Sequence, residues 1–255
     1  MGGRTRIAAG ISIAALVSLT SCQTGSSRTG RYVESGPPRY EISCPVGEEC
    51  NESVALLVGL SAPTEPMRCT AALIGPRTAI TAGHCVAWEL ATGGSCDGVW
   101  LGFAKSGDRP SEWAGCKQVT SVSAPAGSLL SPDYAVLELS ADPGRRALPI
   151  QRGEVAAGEV VRMVSVTADR FYDDLHEVRT RRCVVGDNGQ IASQGAADPG
   201  AIRLLSSCPI REGSSGAPVL DRQGRMRGLI HAGGPRYFAL GLMTLLPKQV
   251  EREHR

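Results

Sequence analysis

The chain has almost no excess of charge of either sign: 27 Lys and Arg stand against 25 Asp and Glu, a formal net charge of +2. Without a basic field to collect phosphates, nucleic-acid binding is not expected, and the one basic cluster, RTRR at 179–182, reads as a solvated face. No two cysteines stand in a C-x-x-C arrangement and the four histidines are scattered, so the spacing of a zinc site is missing. Nothing points to a metal or an organic cofactor. Internal repeats are absent, and helical periodicity is confined to the end, TLLPKQVEREH (244–254), which reads as a short C-terminal helix.

What is present begins with an export signal. Arg4 and Arg6 precede the apolar run IAAGISIAALVSL (7–19), too short to span a membrane and of the length of a signal peptide. Residues 1–21 are therefore expected to be removed. Leu19-Thr20-Ser21-Cys22 resembles the lipobox of bacterial lipoproteins, which implies cleavage before Cys22 and lipid attachment to it. That resemblance, with Gln23 following, implies an exported protein held on the bacterial envelope, at the outer membrane where the cell has one. Residues 22–43, rich in Gly, Ser, Pro and Arg, read as a tether to a domain over 44–255.

With 42% hydrophobic residues in 255, the chain is long enough for a sizeable core. Short apolar runs recur between Gly, Pro and Asp turns: VALLVGL (54–60), TAALI (70–74), VWLGF (99–103), YAVLEL (134–139), EVVRMVSV (159–166), AIRLLSS (201–207), RMRGLIHA (225–232) and FALGLMT (238–244). Strands at this spacing predict an all-β barrel or sandwich, with DRQG (221–224) as a hairpin turn. His176 and His254 lie in polar segments and read as surface residues; Trp88, Trp100 and Trp113 read as packing residues.

The stretch REGSSGAPVL (211–220) places two serines between glycines just before a strand. Gly213 and Gly216 permit a tight loop whose amide groups point into one small space, where a serine is placed for chemistry. A hydroxyl becomes a nucleophile only when a base takes its proton and a third group orients that base. TAGHC (81–85), directly after the strand-turn-strand pattern CTAALIGPRTAI, supplies a histidine, and SPDYAVLEL (131–139) supplies Asp133 at the start of an apolar strand.

These motifs, in the chain order His84, Asp133, Ser215, resemble the chymotrypsin-like serine peptidases, from about Val54 to Met243. The resemblance implies two six-stranded antiparallel β-barrels, a peptide or protein substrate, a monomer, and catalysis by His84, Asp133 and Ser215 through an acyl-enzyme. It also implies an oxyanion hole in the backbone of Gly213, Ser214 and Ser215, with the N–H groups of Gly213 and Ser215 as donors. Cys69 and Cys85 match the family's bridge beside the histidine, and Cys183 and Cys208 match a bridge of the bacterial branch resembling glutamyl endopeptidases. Nine cysteines less Cys22 leave eight that can pair in an oxidising compartment, and by elimination Cys44 would join Cys50 and Cys96 join Cys116.

By the same resemblance, Pro209, Ile210 and Arg211 on one side and His231, Ala232 and Gly233 on the other would line the specificity pocket. His231 resembles a pocket histidine that favours an acidic side chain; a structural or solvated histidine is the other reading. Two residues depart from the pattern. Ser214 replaces the aspartate that digestive relatives pair with a new N-terminus, so activation is expected not to need such a pair. Ala217 stands where many relatives have glycine or serine, and its methyl group is small. The function expected is that of a lipid-anchored serine endopeptidase; the alternative is an inactive lipoprotein that keeps the fold as a binding or scaffold protein.

Overall fold

The computed structural model describes residues 36–47, 50–62, 65–86, 92–106, 111–123, 131–168, 174–187, 200–233 and 241–246. The expected signal peptide, Cys22, Trp88, His254 and the C-terminal residues from 247 onward lie outside the described residues. Among the described residues no helix is long and apolar enough to cross a membrane.

The first strand, β1 (Glu41–Ser43), lies inside the stretch expected to be a tether. It pairs in parallel with a later strand and buries Ile42 to 1% exposure, so ordered structure begins before residue 44. Six strands then close on themselves: β2 (Val54–Ala62), β3 (Glu65–Gly75), β4 (Thr78–Thr81), β5 (Trp100–Phe103), β6 (Glu112–Val122) and β7 (Ala135–Leu139), in the order β2-β3-β4-β7-β6-β5. A second set comprises β8 (Val160–Ala168), β9 (Leu175–Val185), β10 (Ile202–Ser206), β11 (Pro218–Leu220), β12 (Met226–Gly233) and β13 (Gly241–Leu245). It runs β8-β9-β10-β13-β12-β11, and pairing of β11 with β8 closes it, with β1 added outside β9. The fold is therefore all-β, two six-stranded antiparallel barrels, as expected. Thr244 and Leu245, expected to open a helix, instead belong to β13, whose ladder with β12 outweighs the local helical pattern.

The apolar runs are continuous rather than alternating because several second-barrel strands are buried on both faces. On β8, Val161 and Met163 enter the core of their own barrel, while Val164 and Val166 pack into the cluster that contains the first barrel's core. Ile230 and Leu229 on β12 divide in the same way. The seam between the barrels is thus buried and formed by side chains of both.

His176, expected at the surface, is 1% exposed. It sits on β9 opposite Ile42 of β1, with the Tyr40 ring edge-on at 4.9 Å. The cover comes from a segment more than a hundred residues away, so the polar local sequence carried no sign of it.

DRQG forms the expected turn between β11 and β12. The Asp221 carboxylate accepts the Gln223 and Arg225 N–H groups, both at 2.9 Å, and the Arg225 Nε at 2.8 Å. Burial pushes its pKa up, but these bonds and the Arg225 charge prevail and hold it below the ordinary 3.8. A carboxyl lowered in the folded state contributes stability that is present above its unfolded pKa and lost as pH falls through the folded one. Asp221→Asn is expected to cost about 1–3 kcal/mol at neutral pH. In urea titrations across pH, the gap between variant and parent should close below the ordinary aspartate range; a gap independent of pH would contradict this account.

Candidate functional site

His84 lies in a one-turn 3-10 helix, Gly83–Cys85, directly after β4. Asp133 stands two residues before β7, which pairs with β4, so one ladder brings the two segments together. Asp133 Oδ1 accepts the His84 backbone N–H at 3.0 Å, and Oδ2 lies 2.5 Å from His84 Nδ1. Gripped at backbone and ring, the imidazole has its Nδ1 occupied and its Nε2 available for exchange with a partner. Its side chain is 38% exposed against 13% for Asp133, so the imidazole reaches solvent while the carboxylate sits behind it.

Gly83 has a packing reason. A Cβ there would fall 2.5 Å from Asp133 Oδ1 and 3.1 Å from the Tyr134 carbonyl oxygen, so the aspartate approaches only because no side chain intervenes. The Cys69–Cys85 disulfide ties β3 to the residue after His84. Cys183–Cys208 joins β9 to the segment leading into the serine loop, and Cys44–Cys50 and Cys96–Cys116 complete the expected pairs. Cys69, His84 and Cys85 bring ligand atoms within 4.8 Å of one another, yet the two sulfurs are bonded together and offer no thiolate to a metal.

The serine loop is pinned peptide by peptide. The Gly213 carbonyl accepts the Thr70 hydroxyl at 2.6 Å, and the next N–H, of Ser214, donates to the Arg211 carbonyl at 3.0 Å. The Ser215 carbonyl accepts the Thr70 N–H at 2.7 Å, and the next N–H, of Gly216, donates to the Ile230 carbonyl at 2.7 Å. Between them, the Ser214 carbonyl accepts the Ala217 N–H at 3.0 Å. Among the described residues, the Gly213 and Ser215 N–H groups donate to no protein acceptor.

Those two amides are therefore available to a negative oxygen. The N–H of Ser214 is spent inside the turn, which leaves the Gly213 and Ser215 N–H groups, the pair that the resemblance implies for an oxyanion hole. Ser214 is 1% exposed, and its Oγ accepts the Arg211 N–H at 3.1 Å, closing the same turn from the other side.

Gly216 could be no other residue. Its φ is +82°, and a Cβ would lie 2.0 Å from the Thr70 carbonyl oxygen and 3.0 Å from the Ala82 nitrogen. That contact also locates the loop, because Ala82 is two residues before His84. Ser215, partly exposed, thus stands against the seam from which His84 emerges.

The expected pocket residues divide. Pro209 and Arg211 are exposed, and Ile210 is partly buried, its Cδ1 directed at Gly241 of β13, where a Cβ would fall 2.1 Å from it. Ala232 and Gly233 continue β12 beside β13. His231 sits at a register irregularity in β12, is 4% exposed, and places Nδ1 3.0 Å from Thr244 Oγ1. Thr244 Oγ1 in turn accepts the Asp133 N–H at 3.1 Å. His231 is therefore not solvated, and it belongs to a chain of contacts that ends on the aspartate. Thr244 escaped sequence reading because its segment looked helical and no spacing joins it to Asp133.

The trypsin-like peptidase domain family matches residues 69–229. Among solved structures, the scabies mite inactivated protease paralogue S-I1 aligns with a TM-score of 0.64 at 16% identity, covering 81% of this chain and 96% of that one. The structure described as GrC aligns at 0.62 and 15% identity, covering 80% and 92%, and a Glu endopeptidase in complex with MPD at 0.57 and 16%, covering 79% and 88%. At these identities the likeness speaks for the fold alone. Among curated protein sequences none matches the chain.

Thr244→Val removes the acceptor of a part-buried amide while keeping the side-chain shape, and is expected to cost about 1–3 kcal/mol. Urea unfolding of variant and parent measures it; a difference below about 0.5 kcal/mol would mean the Asp133 amide has another partner.

Proposed function

Starting from the premise that the chain belongs to the trypsin-like peptidase domain family, we propose that it is a serine endopeptidase acting through His84, Asp133 and Ser215. The observation that carries this reading is the double grip of Asp133 on His84, at 3.0 Å and 2.5 Å, beside a serine loop with two unspent amides.

In the reaction, Ser215 Oγ attacks the carbonyl carbon of the scissile peptide bond while His84 Nε2 takes the hydroxyl proton. Asp133 holds the ring and stabilises its positive form. Charge that develops on the carbonyl oxygen is met by the Gly213 and Ser215 N–H groups. The C–N bond breaks as His84 returns the proton to the leaving amine, giving an acyl-enzyme on Ser215. Water, deprotonated by His84, then adds to the ester, and Ser215 leaves with its proton restored.

One solved neighbour is an inactivated paralogue, so the same fold also exists without turnover, and an inactive scaffold is the second reading. Two measurements separate them. A fluorophosphonate is expected to label Ser215 in the parent and not in Ser215→Ala, and a peptide library read by mass spectrometry is expected to show cuts lost by about a millionfold in that variant. A folded parent that never labels and never cuts would establish the scaffold instead.

The export signal and Cys22 support a further part of the proposal: the domain is exported and held by lipid on the envelope, at the outer membrane where there is one. The local closure of the Ser214 turn supports activity without a freed N-terminus, because Ser214 Oγ takes the Arg211 N–H at 3.1 Å in place of an ion pair. The full chain is expected to partition into detergent and a chain beginning at Gln23 into the aqueous phase, with equal turnover. Aqueous partition of the full chain would remove the anchor, and activity appearing only after further N-terminal trimming would remove the second claim.

A further inference from the structure

We propose that Thr70 is a positioning residue: from the first barrel, its hydroxyl sets the serine loop so that the two free amides face the reacting carbonyl. This rests on the peptidase reading of Ser215 and names the residue that holds its surroundings in place.

Thr70 is on β3 and is 0% exposed. Its hydroxyl donates to the Gly213 carbonyl at 2.6 Å and accepts the Val166 N–H at 3.0 Å. Its own N–H reaches the Ser215 carbonyl at 2.7 Å, and its carbonyl accepts the Thr81 hydroxyl at 2.8 Å. One buried residue thus joins β3, β8 and both ends of the Gly213–Ser215 turn, its hydroxyl at the Gly213 end and its backbone N–H at the Ser215 end.

The bonds fix orientation as well as place. The peptide from Gly213 to Ser214 is held at its oxygen by Thr70 and at its nitrogen by the Arg211 carbonyl. The peptide from Ser215 to Gly216 is held by the Thr70 N–H and by the Ile230 carbonyl. The plane between them, which carries the Ser215 N–H, has little freedom left. With its oxygen taken by the Ala217 N–H at 3.0 Å, that N–H is directed away from it, on the opposite side of the peptide.

Loss of the hydroxyl would leave the Gly213 carbonyl and the Val166 N–H without this partner in a buried seam, where unpaired polar groups are costly. The loop would then relax at the end that carries the Gly213 amide. Charge stabilisation depends on donors placed within tenths of an ångström, whereas ground-state binding along the cleft does not. A positioning role therefore predicts loss of kcat with KM retained. A hydroxyl that merely stitches the barrels predicts loss of stability with kcat retained.

The test uses the full chain carrying Thr70→Val, Thr70→Ala or Thr70→Ser, with kcat, KM and the fluorophosphonate labelling rate measured on folded protein. Val and Ala are expected to lose about 10- to 100-fold in kcat and in labelling rate with KM within about twofold, less than the loss of a direct donor. Ser is expected to stay within about threefold of the parent. The same variants are compared by the amide resonances of residues 213–216, which should move in Val and Ala and stay in Ser. Should Val fail to fold, Ala, which only opens space, carries the comparison. Parental kcat in a folded hydroxyl-free variant, or a Ser variant as slow as Val, overturns the proposal. A parent that does not label sinks the peptidase reading alone; resonances that move in Val and Ala but not Ser then still uphold the brace, and unmoved resonances overturn it.

Discussion

Everything at the site depends on one buried crossing, where β3 of the first barrel meets the serine loop and β8 of the second. Thr70 is fully buried there, and each of its polar groups is matched by one from another segment. In a low-dielectric seam such bonds are strong and directional, and their absence is expensive. Apolar side chains of both barrels surround the crossing, so the barrels cannot slide past one another without breaking it. The site needs groups from both barrels held in fixed relation, and this crossing supplies that relation.

A second polar chain supports the aspartate. Asp133 enters β7 of the first barrel, yet its N–H is accepted by Thr244 of the second, and Thr244 lies against His231. The carboxylate is thereby set from behind by one barrel while it grips His84 in the other. The histidine that resembled a pocket residue thus has a structural task in any case. It stands at an irregularity in β12, with its ring against Thr244. Glycine serves the same economy of space: Gly83 lets the aspartate approach, and Gly216 lets the serine loop press on Thr70.

Much of this was legible because it is local. GSSG, TAGHC and the aspartate before AVLEL each carry their chemistry within five residues, and their chain order carries the rest. Strands buried on both faces, such as β8, announce themselves as apolar runs. β6 and β9 do not, because one face of each meets solvent: Glu112, Lys117 and Arg182 interrupt them, and RTRR by itself has the pattern of a solvated face. β9 is nevertheless the strand on which β1 closes over His176. A histidine's burial depends on what lies above it, and here that cover comes from residues 40–43.

By itself, the sequence determined the fold class and the three residues offered for chemistry, while two of the four disulfides came only with the family likeness. These follow from short-range rules: turn residues, apolar spacing, and the order of motifs along the chain. Only the tertiary structure decided that Thr70 of the first barrel and Thr244 of the second brace the site. A hydrogen bond between residues more than a hundred positions apart leaves no periodicity or spacing in the chain, because it exists only once two barrels have closed and met.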